Sequence, residues 1–223
     1  MDRLSALELR VAGEVVVLRG DRALYWPRER MLLIADLHLG KTESLRAGGV
    51  ALPDGVMAHD LDRLRRALVD TDARRLVILG DLVHDAAALA PGVRAAFAAW
   101  RASVDASVEL VLGNHDRHVA AMPDEWRLQV AGTTLSLGPF RLLHAADGRP
   151  AYTWSGHVHP MLALRSPTDA LRVPCFHIGA HGGVLPAFST LTGGAMTRVA
   201  PGERAVAVVD GMVIALPTAS ERR

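Results

Sequence analysis

Three short, largely apolar runs, Met31–Ala35, Arg75–Leu79 and Val108–Leu112, each stop at a cluster of polar residues. No other feature of the sequence restricts the fold as much. A run that is apolar at successive positions, rather than at alternate ones, reads as a strand buried on both faces. Between the first two runs, Pro53 and Asp54 read as a helix start. Met57, Leu61, Leu64 and Leu68 follow at 4-3-4 spacing, with Asp62, Arg63, Arg65 and Arg66 on the other faces. Between the second and third runs, Pro91–Val104 reads as an Ala-rich helix carrying Phe97 and Trp100. Strand–helix–strand–helix–strand is the signature of parallel β-α-β units. Leu39–Gly55, rich in glycine, is expected to be a loop.

The flanks differ from this centre. The first 20 residues hold two β-rich stretches around a turn at Ala12-Gly13. After residue 120 the strand candidates are short and separated by Gly or Pro: Leu128–Val130, Thr133–Leu137, Phe140–His144, Met161–Leu164, Leu171–Ile178 and two segments between Arg204 and Leu216. A split near residue 120 is one arrangement. Motifs on both sides that need one shared site favour a single α/β domain over 1–223, with a mixed sheet or two packed sheets. With 50% of its 223 residues hydrophobic and 22% charged, the chain has ample core for this and is not a disordered protein. No apolar run approaches the ~18–20 residues of a membrane span, and MDRLSALELR lacks the layout of a secretory signal, so the expected location is cytoplasmic. A net charge of +1 gives no global attraction for nucleic acid. The lone Cys175 excludes an intrachain disulfide and a multi-thiolate zinc site, and reads as a small buried residue.

Four polar clusters carry the chemistry: Asp36-Leu37-His38, Gly80-Asp81, Gly113-Asn114-His115-Asp116 and Gly156-His157-Val158-His159. The first three follow the buried strands, where ligands bind in open α/β sheets. Asp36 and His38 are two apart and in extended chain would face one side, as would His157 and His159. Carboxylate, imidazole and carboxamide oxygen without thiolate suit Mn²⁺, Fe or Zn²⁺. Asp36, His38, Asp81, Asn114, His157 and His159 are too many ligands for one tetrahedral ion, but would serve two ions sharing a bridging carboxylate.

In this order, D-x-H, G-D, G-N-H-D and G-H-x-H resemble the calcineurin-like metallophosphoesterases. The longer strings LIADLHLGK with GGVALPDG, ILGDLVHD, GNHDRH, SGHVHP and VPCFHIGAHGGVLPAFSTLTGG, spanning about 33 to 195, resemble the ligase-associated DNA damage response endonuclease branch. The resemblance implies an α/β fold, a four-layer αββα sandwich with a dinuclear metal site at the strand ends. It implies that Asp36, His38, Asp81 and His159 hold one divalent ion and Asp81, Asn114, His144 and His157 the other, with Mn²⁺ the metal of that branch. His115 would be the catalytic imidazole beside the scissile phosphate, Asp116 the carboxylate that orients it, and a hydroxide bridging the ions the nucleophile. It also implies DNA as substrate in a repair setting, with an ATP-dependent DNA ligase and a helicase as associates.

Around these, His84 is a candidate for substrate contact or support of the metal ligands, and Arg117 and Lys41 are candidates for touching phosphate. Each could equally be a solvated surface group. Arg63, Arg65 and Arg66 could track a DNA backbone, but an amphipathic helix presents such a row to water anyway. Tyr25, Trp26 and Trp154 could stack on bases, with Trp154 better suited to packing under the fourth motif. His177 and His181 have no assigned role, and His59 and His118 read as surface residues. An enzyme of the same fold acting on small phosphodiesters or phosphomonoesters, such as cyclic nucleotides or phosphoproteins, would use the same residues. A scaffold that only binds a partner would show eroded ligands, and none is eroded.

Overall fold

The structure, a computed structural model, describes residues 4–119, 121–165 and 169–216. The ends of the expected 1–223 domain and position 120, near which the sequence allows a split, lie outside the described residues. The first sheet contains β1 (Ala6–Val11), β2 (Glu14–Arg19), β3 (Leu24–Trp26), β4 (Met31–Ile34), β5 (Arg75–Leu79), β6 (Ser107–Val111) and β7 (Gln129–Val130), side by side in chain order. Strands β1 to β4 pair antiparallel and β4 to β7 parallel. Ala12 and Gly13 both take positive φ at the β1–β2 turn, the backbone a two-residue hairpin needs. Helix α1 (Lys41–Ala47) and α2 (Val56–Thr71) link β4 to β5, and α3 (Pro91–Ala102) links β5 to β6.

Packing accounts for the apolar runs. Along β4, Leu32 and Ile34 face the helices, where Leu61, Leu64, Leu68, Phe97 and Trp100 meet them. Met31 and Leu33 face the other way, into a core shared with the second sheet. Each fully buried Leu, Ile or Phe stabilises the fold by about 1.5–3 kcal/mol, so a strand used on both faces leaves no polar position to interrupt the run.

That second sheet is made from β8 (Thr134–Leu137), β9 (Phe140–Leu143), β10 (Tyr152–Ser155), β11 (Pro160–Arg165), β12 (Ala170–Ile178), β13 (Gly182–Val184) and β14 (Ala195–Met196), in the order β14-β11-β12-β13-β10-β9-β8. Strand β15 (Arg204–Val209) pairs with β12, and β16 (Met212–Ala215) with β15. Phe140 sits between Trp26 and Trp154 with ring centroids 4.8 and 6.1 Å away, at the centre of the inter-sheet core. Both indoles are fully buried, so neither is available to stack on a base.

The expected layering of helices, sheet and sheet is present, but the fourth layer is not helical among the described residues. Among the described residues no α-helix follows α3, and a small cluster of Leu162, Val173, Cys175, Ala205 and Ala207 forms a separate core of the second sheet. Cys175 belongs to it, and burial pushes its thiol up to about 12. Ellman's reagent is therefore expected to titrate this thiol only after denaturation, and fast labelling of the native protein would contradict the placement.

Leu39–Gly55 is not all loop, because α1 occupies its first half between Gly40 and Gly48. A seven-residue helix that buries only Thr42 has no hydrophobic period to read. Among the described residues, no helix is long and apolar enough to cross a membrane.

Candidate metal centre

The three parallel strands end together, and their chain reversals carry the first three polar clusters. The backbone there is left-handed at residues other than glycine: Asp36 (φ 58), His38 (φ 51) and Asp81 (φ 51), and again at His157 (φ 69) and His159 (φ 48). Each such residue costs on the order of 1 kcal/mol or more, and such strain gathers at functional sites. The chain here is not extended, as the two-apart spacing assumed: Asp36 and His38 still converge on one group, but the expectation that His157 and His159 share a side is corrected. Left-handed turns aim each side chain separately, and His157 and His159 go to different groups.

Two groups result. In the first, donor atoms of Asp36, His38 and His159 all lie within 4.8 Å of one another, and in the second so do those of Asp81, His144 and His157. Asn114 joins the second, its Oδ1 2.9 Å from His144 Nε2. Three glycines make this close approach possible. A Cβ on Gly80 would lie 2.4 Å from His144 Nδ1, one on Gly113 2.1 Å from Asp81 Oδ1, and one on Gly156 2.5 Å from Asp36 Oδ2. Each motif glycine thus makes room for a candidate ligand from another part of the chain.

The protonation pattern follows from the partners. His144 Nδ1 lies 3.0 Å from the Leu79 carbonyl, which only accepts, so Nδ1 carries the proton. In the neutral ring Nε2 then presents a lone pair, and it meets Asn114 Oδ1 at 2.9 Å, His157 Nδ1 at 3.0 Å and Asp81 Oδ2 at 3.3 Å. One ring proton could satisfy only one of these acceptors, whereas a cation satisfies all of them. The first group repeats the pattern. His159 Nδ1 donates to the Gly193 carbonyl at 3.1 Å, which leaves Nε2 facing Asp36 Oδ1 at 3.3 Å. Asp36 Oδ1, His159 Nε2 and both nitrogens of His38 are buried without a hydrogen-bond partner. Buried polar atoms are almost always paired, and such a cluster of unpartnered atoms, with a lone pair on Asp36 Oδ1, on His159 Nε2 and on one nitrogen of His38, is a fit for a divalent ion. Backbone carbonyls orient the second ring nitrogens of His144 and His159, as is usual for imidazole ligands.

Electrostatics agree. Burial, reinforced by the Lys41 charge, pushes His38 down to about 3, so it is a neutral imidazole at pH 7. For Asp81, burial acts upward, but hydrogen bonds from His144 and the His115 N–H outweigh it and keep the carboxyl below its usual range. Burial lowers His144, while Asp81 and the Leu79 carbonyl carry it above the ordinary imidazole value, because a proton on Nε2 answers the Asp81 carboxylate where a cation would otherwise do so.

The other candidates divide. His115 sits over the site, half-buried, its ring 5.3 Å from that of His38 and stacked on His84 at 5.1 Å. Its expected partner is wrong: Asp116 does not orient it. The Asp116 carboxylate accepts three backbone N–H bonds, from Asp81 (2.8 Å), Val83 (3.1 Å) and Gly113 (2.8 Å), and so ties the second motif to the third. The oxygen beside His115 Nδ1 is the main-chain carbonyl of His84, at 2.6 Å. A main-chain carbonyl leaves no signal in sequence. Lys41 is half-buried, with Nζ 3.4 Å from Thr192 Oγ1, and its charge acts on His38 and His84, so it is not a solvated loop residue. Arg117 is exposed and lines an open cavity of about 390 Å³ with Asn114, His144 and His157. Arg65 and Arg66 pair with Asp62 on the wet face of α2, but Arg63 is half-buried and packs over Phe188. His177 pairs with Glu203 at 2.8 Å, away from both ligand groups.

Residues 29–179 match the family described as Calcineurin-like phosphoesterase. No curated protein sequence matches the chain. Among solved structures, the crystal structure of Pseudomonas putida nuclease MPE is 35% identical with a TM-score of 0.84, and the match covers 95% of this chain and 100% of that one. YfcE, a phosphoesterase from E. coli, is 16% identical with a TM-score of 0.37 over 81% of this chain and 88% of that one, a likeness too slight to bear on the site.

Proposed function

The chain belongs to the calcineurin-like phosphoesterase family, hydrolases of phosphoric esters, and from that premise we propose that it is a two-metal phosphodiesterase that cleaves DNA as an endonuclease. One observation carries the choice of a nucleic-acid diester: the likeness to the P. putida nuclease runs the whole length of that chain at 35% identity. The proposed ligands are Asp36, His38 and His159 for one ion and Asn114, His144 and His157 for the other, with Asp81 shared. Mn²⁺ is the proposed ion, a borderline metal suited to this thiolate-free set. A repair role beside an ATP-dependent DNA ligase and a helicase is the proposed setting.

Two divalent ions, when bound, supply Lewis-acid charge for the phosphoryl oxygens and make hydroxide available at neutral pH. The rest falls to side chains. Asp36 and Asp81 offset part of the metal charge, so the site remains attractive to a phosphodiester anion. His115 donates its Nδ1–H to the His84 carbonyl, which fixes the ring and leaves Nε2 to carry the proton exchanged with substrate. Nε2 can stabilise charge on the phosphoryl group and protonate the leaving oxygen. His84, stacked on that ring, keeps it from rotating.

His115→Ala is expected to lower kcat by about 10²–10⁴-fold, the usual worth of a general acid. Mn²⁺ affinity should change little, because the backbone N–H of residue 115, which holds Asp81 at 2.9 Å, survives the substitution. Equal loss of turnover and metal affinity would sink the assignment. For the function itself, Mn²⁺-loaded protein should nick supercoiled plasmid, and an Asn114→Ala/His115→Ala variant should not. Cleavage of bis-p-nitrophenyl phosphate without any nicking would replace DNA by small phosphoesters as the substrate.

A further inference from the structure

Behind the first ligand group lies a buried ionic cluster that the chemistry above does not use. The segment after β13 runs against the first motif: the Phe188 N–H donates to the Ala35 carbonyl at 2.7 Å and the Ser189 N–H to the Asp36 carbonyl at 3.2 Å. These bonds meet the chain where Asp36 turns left-handed. The far side of the segment is held by three charged side chains. Arg22, in the β2–β3 turn, donates to the carbonyls of Ala187 (3.4 Å) and Ser189 (3.0 Å). Arg63 of α2 donates to the Phe188 carbonyl and lies 4.3 Å over the Phe188 ring. Asp60 of α2 accepts the Thr190 N–H at 3.0 Å and pairs with Arg63 at 3.2 Å. Three consecutive carbonyls and the next N–H are therefore gripped by side chains remote in sequence.

Asp60 is 3% exposed. Withdrawing such charges from water costs several kcal/mol per ion, and apolar packing at similar volume is often as stable. Stability alone therefore does not account for the cluster. What it adds over apolar packing is direction: charged hydrogen bonds fix the segment at particular atoms, and the segment in turn fixes the backbone of Ala35 and Asp36.

We propose that Asp60, with Arg22 and Arg63, is a positioning clamp for Asp36, and through it for the first ligand group alone. The inference rests on the reading that Asp36, His38 and His159 hold a metal ion. It predicts a loss confined to one of two sites, which a general weakening of the fold would not give.

The test is Mn²⁺ binding followed by electron paramagnetic resonance of the free ion, in backgrounds that leave one group intact. With His157→Ala, which spares the first group, adding Asp60→Asn should weaken Mn²⁺ binding about 10–100-fold, as for other partners that orient a ligand. With His159→Ala, which spares the second, the same substitution should change affinity less than twofold. Arg22→Gln leaves the Asp60–Arg63 pair in place and should act in the same direction; it carries the test if Asp60→Asn does not fold. Unchanged affinity at the first group, or equal loss at both, would overturn the clamp. Absence of Mn²⁺ uptake by the unsubstituted chain would instead overturn the metal reading on which it rests.

Discussion

Asp81→Asn should abolish hydrolysis, by about 10³-fold or more, with a much smaller effect on the stability of the metal-free protein. The carboxylate is almost fully buried, with Oδ1 accepting the His115 N–H at 2.9 Å and Oδ2 facing His144 Nε2 at 3.3 Å. In the amide the oxygen must stay toward the N–H, because two donors cannot face each other there. The new NH₂ then points into the lone pairs of the second group and donates to them. A donor replaces a ligand with almost no change of volume, so folding is spared and the cation site is lost. Loss of one ligand and one negative charge from a two-metal site is worth at least ~4 kcal/mol of barrier, or about 10³-fold in rate. Steady-state kinetics on bis-p-nitrophenyl phosphate, with thermal melting in EDTA, checks both halves. Retained turnover would exclude Asp81 from the centre.

Gly113→Ala should be nearly as damaging by a purely steric route. The added Cβ would lie 2.1 Å from Asp81 Oδ1 and 2.4 Å from the Asp81 backbone nitrogen, and the second of these cannot swing away. Either β6 or the Asp81 turn must shift. A displacement on the order of 1 Å at a reacting centre costs about 10²-fold in rate, and overpacking costs about 1–3 kcal/mol of stability. Gly92→Ala, where a Cβ meets nothing within 4 Å, is the control and should be neutral or slightly stabilising. Wild-type kcat for Gly113→Ala would mean that Asp81 does not need its observed position.

These two residues mark what was legible in the sequence. The strands that end at the site were readable because burial on both faces leaves a local trace. Arg75–Leu79 is β5 as expected, Met31–Ala35 is β4 with one residue more, and Val108–Leu112 is β6 shifted by one. The helix expected over Pro91–Val104 runs Pro91–Ala102. Most of the residues that converge in the two groups were legible too, because they stand in short polar strings. Partnership was not, because it is settled across loops. Asp116 follows His115 in the chain yet binds the backbone of Asp81, Val83 and Gly113, while the carbonyl that aims His115 comes from His84. Arg63 stands in a row with Arg65 and Arg66, but only Arg63 meets the segment after β13, and a helical period cannot say which basic residue another strand will cover. His144 is indicated by the family resemblance and by its place at the end of a strand-like run, not by any motif around it; Leu79, Asn114 and His157, its neighbours in the site, come from three other parts of the chain.

The most direct test of the whole account is the number of Mn²⁺ ions bound per chain, by calorimetric titration of metal-stripped protein, in the parent and in Asp36→Ala and His157→Ala. Two groups of converging lone pairs predict two ions for the parent and one for each variant, with hydrolysis lost in both. A parent chain that binds none or one, or variants that keep both ions, would contradict it.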